Sequence, residues 1–205
     1  MHIPIFEFLV SFGLLLVAMT VHEFAHGFTA YKLGDNTAKY SGRLTLNPLA
    51  HIDPFWTLIL PLVLFISSNG TFVFGAAKPV PVNYWALKNP KKDMILIGSS
   101  GPLANFILAA FLAAVLRLAP MPGVLSFFIT NLLVINVLLG VFNLIPIPPL
   151  DGSRILFSFL PPRLAMSYMS IEPYGFMILF VMLWMGFLNW FVGPILFALS
   201  RIIGF

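Results

Sequence analysis

The chain has no cysteine and very little charge. Without cysteine there are no disulfides and no thiolate ligands, so a bound metal must rest on His, Asp or Glu. Charged residues make up 9% of the 205 residues, where a soluble domain carries about 25%. Hydrophobic residues reach 60% and the mean hydropathy is +0.98. That balance excludes a soluble fold and indicates an integral membrane protein. There is no basic stripe of the kind that binds nucleic acid, no internal repeat and no low-complexity tract. The net charge is only +4. The sequence has 17 prolines and 15 glycines. Inside a membrane, such helix breakers are tolerated where neighbouring groups or water satisfy the freed backbone.

The N-terminal apolar run also lacks what a signal peptide needs. Ile3 to Val21 contains one acidic residue, Glu7, and no basic residue. There is no basic leader and no clear small-residue cleavage site, so the run reads as a retained transmembrane helix.

What is present is a polar cluster near the end of that run, His22-Glu23-Phe24-Ala25-His26. Histidines four residues apart stack on one helix face and can share one metal ion. Glu23, beside the first, can take a proton from a water at that metal. This is the HExxH arrangement of zinc hydrolases. Ionisable groups at membrane depth are costly and by default mark function.

The fold expected is an all-α polytopic membrane protein. It has about four to six transmembrane or re-entrant segments and a short strand-like, membrane-associated hairpin. The first span runs from about Ile3 to Tyr31, roughly 40 Å at 1.5 Å per residue. Leu44 and Leu46 then alternate with Arg43, Thr45 and Asn47, a strand pattern. Phe55 to Ser67 is apolar but shorter than the usual ~20 residues, so it either re-enters or tilts. Thr71 to Phe74 is a second strand-like run, followed by Lys78-Pro79-Val80-Pro81-Val82. Further spans cover Met94–Leu118, about Val124–Ile145 and about Tyr174–Ile203, the last with a break near Gly193-Pro194. Residues 1–205 form a single membrane domain, with a core over 3–160 and an added C-terminal segment near 174–204.

Basic residues set the orientation. If 53–77 dips in and returns, Lys32, Lys39, Arg43, Lys78, Lys88, Lys91, Lys92, Arg154 and Arg163 share one side. Arg117 and Arg201 lie on the other. The first side is then cytoplasmic, and the HExxH cluster lies nearer to it.

Two histidines leave a catalytic zinc site incomplete, since three protein ligands are usual. Asp151 stands out in the proline-broken stretch Asn143 to Gly152. If that loop folds back to the depth of His22, its carboxylate completes a His2Asp site. Asn143 could then donate its amide to a developing oxyanion or hold the substrate backbone. Plainer readings stand beside these. Asp151 suits a helix N-cap, Asn143 suits a bond to a neighbouring helix, and Asn105 reads as helix glue rather than catalysis. His51 reads first as a loop histidine bonded to Asp53, and second as an active-site lining residue or a second metal ligand.

HExxH on one span and Asn143, Pro146, Leu150, Asp151, Gly152 after another resemble the site-2 protease family of intramembrane zinc metalloproteases, peptidase family M50. Ser100 to Asn105 (SGPLAN), Gly42 to Pro54 and the KPVPV stretch are also similar to its short members without PDZ or CBS domains. The resemblance covers about residues 3–160. It implies one zinc per chain on His22, His26 and Asp151, with Glu23 as base and Asn143 assisting. It further implies transmembrane protein substrates, a lipid bilayer, a prokaryotic inner membrane and regulated intramembrane proteolysis. Ser153 stands where many members have glycine and is expected to matter little. Strand addition by an unwound substrate to Arg43, Leu44, Thr45 and to Phe72, Val73, Phe74 is a further expectation. Two other functions use the same ligands: a metal transporter and an inactive membrane scaffold. A transporter needs ligands in series, and a scaffold has no need of Glu23.

Overall fold

The computed structural model describes residues 5–70, 73, 75–187, 190, 193–195, 197–198 and 201. Helix α1 spans Ile5–Lys32 without an internal proline. It stops because Gly34 takes a left-handed φ of 107°, which lets Asp35 N–H reach back to Ala30 O at 2.9 Å. Asp35 is fully buried. Its carboxylate accepts bonds from Thr37 at the start of α2 (Thr37–Tyr40) and from Asn83 N–H, 2.6 Å away.

The next apolar stretch is helical but shorter than an upright crossing needs. Asp53 caps it by accepting from Phe55 and Trp56 N–H. A π-helical turn over Pro54–Ile59 then runs into α3, Leu60–Ser67. Fourteen residues reach roughly 20 Å, short of a ~30 Å hydrocarbon core. Phe65 on α3 stacks on Phe8 near the start of α1, with ring centroids 4.2 Å apart. The chain then comes back. Ala76 N–H donates to Trp56 O at 3.1 Å, and Lys78 N–H donates to His51 O at 2.9 Å. The two ends of this stretch, around His51–Trp56 and Ala76–Lys78, therefore lie side by side.

Helix α4 (Pro90–Leu118) packs against α1, against α5 (Gly123–Asn143) and against α6 (Asp151–Phe159). Gly140 on α5 leaves room for the Phe106 ring of α4, where a Cβ would come within 2.8 Å. After α5, Pro146, Pro148 and Pro149 prevent helix, and the chain doubles back to α6. Gly152 permits this, because a Cβ there would lie 2.7 Å from Ile145 O. Lys91 Nζ donates to Leu160 O at 3.2 Å, joining the start of α4 to the end of α6. Helix α7 (Pro162–Met169) and α8 (Gly175–Trp184) follow. Among the described residues, four stretches are long and apolar enough to cross a membrane: Ile5–Lys32, Pro90–Leu118, Gly123–Asn143 and Pro162–Met182.

The chain is thus an all-α polytopic membrane protein. Among the described residues there is no strand. The alternation over 43–47 does not become one, because side chains close the backbone into successive turns. Thr45 Oγ1 accepts from Asn47 N–H, and Asn47 Oδ1 accepts from Leu49 N–H. Val73 is irregular, while Thr71, Phe72 and Phe74 lie outside the described residues. The fourth apolar stretch starts at Pro162, earlier than Tyr174. It is interrupted at Gly186, with φ 81°. Residues 193–195 are helical, and 191–192 lie outside the described residues.

Candidate metal centre

The histidines at 22 and 26 are brought together by one turn of α1, and both are buried. The doubled-back loop after α5 then delivers Asp151, the first residue of α6, to the same point. Asp151 Oδ2 lies 2.9 Å from His22 Nε2 and 2.9 Å from His26 Nε2, and the two Nε2 atoms are 3.0 Å apart. Leu150, not Asp151, occupies the helix N-cap position.

The outer ring nitrogens explain why this point suits a cation. His22 Nδ1 donates to Asn105 Oδ1 at 2.6 Å, and His26 Nδ1 donates to Ile97 O at 2.7 Å. With Nδ1 carrying the proton, each neutral imidazole presents a lone pair at Nε2. Two lone pairs and a carboxylate oxygen then face one another within hydrogen-bond distance with no donor between them. Positive charge is needed there, from ring protonation or from a metal dication. Arg154 adds a cation 3.5 Å from Asp151 Oδ1. Space is kept open from α4. A Cβ on Gly101 would overlap His26 Nε2 and lie 2.7 Å from His22 Nε2. Donor type, tautomer and space all fit a metal ion such as zinc. Among the described residues this is the single group of three or more such ligands.

Asn105 is the residue that sequence reasoning undervalued. It is fully buried on α4. Its Nδ2 donates to Ala18 O of α1 at 3.2 Å and to Asn136 Oδ1 of α5 at 2.8 Å. It is helix glue, as expected, but its oxygen is thereby aimed at His22. Its place in a span beside SGP was the available signal, since a buried amide must find partners for both of its ends.

A cavity of about 410 Å³ opens beside the ligands, lined by His22, Glu23, Trp56, Gly75, Asn143 and Arg154 among others. Glu23 is half-buried, and its Oε2 accepts from Val80 N–H at 2.8 Å. Asn143 reaches the cavity, but its Nδ2 donates to Leu139 O of its own helix at 2.9 Å. Trp56 stacks on Phe176 across the far wall, with centroids 4.8 Å apart.

The remaining sequence candidates lie elsewhere. His51 bonds Thr45 O through Nε2 at 2.9 Å, and not Asp53, whose carboxylate caps the helical stretch that follows it. Among the described residues, His51 belongs neither to the ligand group nor to the cavity wall. Arg43, Leu44, Thr45 and Val73 are also absent from the described wall, which is built instead from Gly75, Ala76, Ala77 and Pro79.

Comparison with known proteins points the same way. The chain is 40% identical over 177 residues to the candidate zinc metalloprotease YwhC of Bacillus subtilis (strain 168), covering 82% of this chain and 77% of that protein. It is 34% identical over 192 residues to the candidate zinc metalloprotease Rip2 of Mycobacterium tuberculosis (strain H37Rv), covering 91% and 72%. Zinc metalloprotease MJ0392 of Methanocaldococcus jannaschii is 29% identical over 154 residues, covering 75% of this chain and 35% of that protein. No solved structure matches. The sequence model of peptidase family M50 matches residues 8–126 and 119–186, nearly the whole chain. The protein is a member of peptidase family M50, the site-2 protease family.

Proposed function

We propose that this chain is an intramembrane zinc-dependent endopeptidase, hydrolysing a peptide bond in or near a transmembrane segment of a membrane protein. One observation carries the reading: His22, His26 and Asp151 converge within 4.8 Å of one another inside a bundle of apolar helices, beside a cavity that Glu23 also lines. The relatives' names, zinc metalloprotease, support it.

His22, His26 and Asp151 would hold one zinc. When bound, zinc polarises a carbonyl oxygen and lowers the pKa of a water towards ~7. Glu23 takes the proton of the attacking water and passes it to the leaving amine. Asn143, on the same cavity, contacts the substrate backbone; the bond to Leu139 O takes one of its two amide hydrogens, which leaves the other and the side-chain oxygen for the substrate. A substrate helix must unwind before its peptide bond is accessible, because its carbonyls are bonded within the helix. The cavity beside Glu23 takes the unwound residues. The protein sits in a prokaryotic inner membrane with the site nearer the cytoplasm, where the nine basic residues cluster. A transporter would need ligands in series, and the described residues hold one cluster.

The test is zinc content and cleavage of a model transmembrane substrate in detergent, for wild type and Glu23→Gln. One zinc per chain in both, with cleavage by wild type alone, is expected. Equal cleavage by both would overturn the assignment of Glu23.

A further inference from the structure

We propose that Arg43 is a positioning residue for Glu23, acting through the peptide unit between Pro79 and Val80; this rests on the reading of Glu23 as the base. The stretch Lys78-Pro79-Val80-Pro81 is unusual in its donors. Neither proline has an N–H, so only Lys78 and Val80 can donate. Lys78 N–H is committed to His51 O at 2.9 Å. Val80 N–H is committed to Glu23 Oε2 at 2.8 Å. The acceptors are engaged as well. Arg43 Nη1 donates to Lys78 O at 3.3 Å and to Pro79 O at 2.8 Å. With these four groups engaged, this segment is poorly placed to pair with a substrate strand.

Pro79 C=O and Val80 N–H belong to one planar trans peptide unit, so the oxygen and the hydrogen point in opposite directions. Arg43 holds the oxygen end, and Glu23 receives the hydrogen end. Rotation of that plane is therefore set by the guanidinium, and with it the aim of the N–H. The unit is also seated against α1. Val80 is buried, and Gly27 makes room for it, since a Cβ there would stand 3.2 Å from Val80 Cγ1. Glu23 has three rotatable side-chain bonds. Tying Oε2 to Val80 restricts the carboxylate and leaves Oε1 for the proton transfer. A base must stand within about 2.6–3.2 Å of the proton it takes, so loosening the tether costs turnover. Arg43 was a candidate for substrate contact; its position behind the Lys78–Val80 backbone, off the described cavity wall, argues for this indirect role.

The experiment uses the full chain in detergent. It measures zinc content, kcat and KM on the model substrate, and site-resolved amide exchange at Lys78 and Val80. Arg43→Met should lower kcat by about 10²-fold, the scale of a 1 Å misplacement, with KM and zinc unchanged. Arg43→Lys, which keeps a donor for Pro79 O, should recover most of the loss. Val80 exchange should quicken in Arg43→Met and in Glu23→Ala. Lys78 exchange should stay slow in Glu23→Ala, since its acceptor is His51 O. A rise in KM at constant kcat would make Arg43 a substrate contact and overturn the proposal. So would unchanged Val80 exchange in Glu23→Ala, whether or not Arg43→Met folds. The exchange arm needs no turnover, so it tests the tether even if the chain cleaves nothing.

Discussion

The proposed metal ligands and the proposed base stand side by side but are held by different kinds of structure. Every polar partner of His22 and His26 comes from a long helix or from the first residue of α6: Asn105 and Ile97 from α4, Asp151 from α6. Glu23 is held by Val80, from an irregular segment that follows α3. Helix-borne partners fix a ligand set, since the backbone that carries them is already bonded within itself. Irregular backbone is where movement is least costly. The proposed ligand side is therefore the preformed one, and the side of Glu23 carries the irregular part of the cavity wall.

Gly101 and Gly75 separate the two regions with the largest effects. Gly101→Val fills the space between the ligand nitrogens, where even a Cβ lies 2.7 Å from His22 Nε2. It should abolish zinc binding and hence cleavage. Gly75→Val sits on the other wall, where a Cβ lies 2.6 Å from Pro61 Cγ. It should suppress cleavage while zinc stays at one per chain. Metal analysis beside a cleavage assay decides it; zinc loss in Gly75→Val would mean the two sides are one structure.

A smaller effect sharpens the ligand side alone. Asn105→Leu removes the acceptor for His22 Nδ1, and losing such a partner typically costs 10–100-fold in metal affinity. Asn105→Asp keeps an acceptor and should bind zinc better than the leucine variant. Asn136→Leu frees the Asn105 amide to turn, and should cost less than Asn105→Leu. Protons compete with zinc for the imidazole lone pairs, so zinc is released as pH falls. In Asn105→Leu the release midpoint should move to higher pH. A competition titration with a chromogenic chelator measures all of these, and equal affinities across the set would dismiss the relay.

What was readable in the sequence follows from range. His22 and His26 are neighbours by helix periodicity alone. Three spans were readable from hydropathy to within a few residues at each end, while the fourth apolar stretch runs over Pro162–Met182 and not from Tyr174 to Ile203. Asp151 needed more, because it is 125 residues from His26; it stood out as an acid in an otherwise apolar context and through the family pattern. The course of 53–77 is not legible in the sequence, because length excludes a vertical crossing without saying where the chain returns. Asn105 was underread because its spacing says which helix carries it, not which neighbour its oxygen meets. The alternation at 43–47 misled because five residues of period two are also compatible with turns, and Thr45 and Asn47 carry side chains that compete for the backbone.

The smallest effect concerns the loop that delivers Asp151. Ser153, which the resemblance leads one to expect to matter little, is not idle. Its buried Oγ donates to Leu150 O at 2.6 Å, closing the first turn of α6. Ser153→Gly deletes that bond, worth about 1 kcal/mol, and places glycine in a helix at a further cost of ~0.5–1 kcal/mol. Asp151 itself is still held by Gly152 against the loop carbonyls and by Arg154 at 3.5 Å. The variant should thus unfold at a slightly lower temperature in detergent, while zinc content and kcat stay at wild-type values. A loss of zinc from Ser153→Gly would mean that the first turn of α6, and not the doubled-back loop before it, sets the position of the carboxylate.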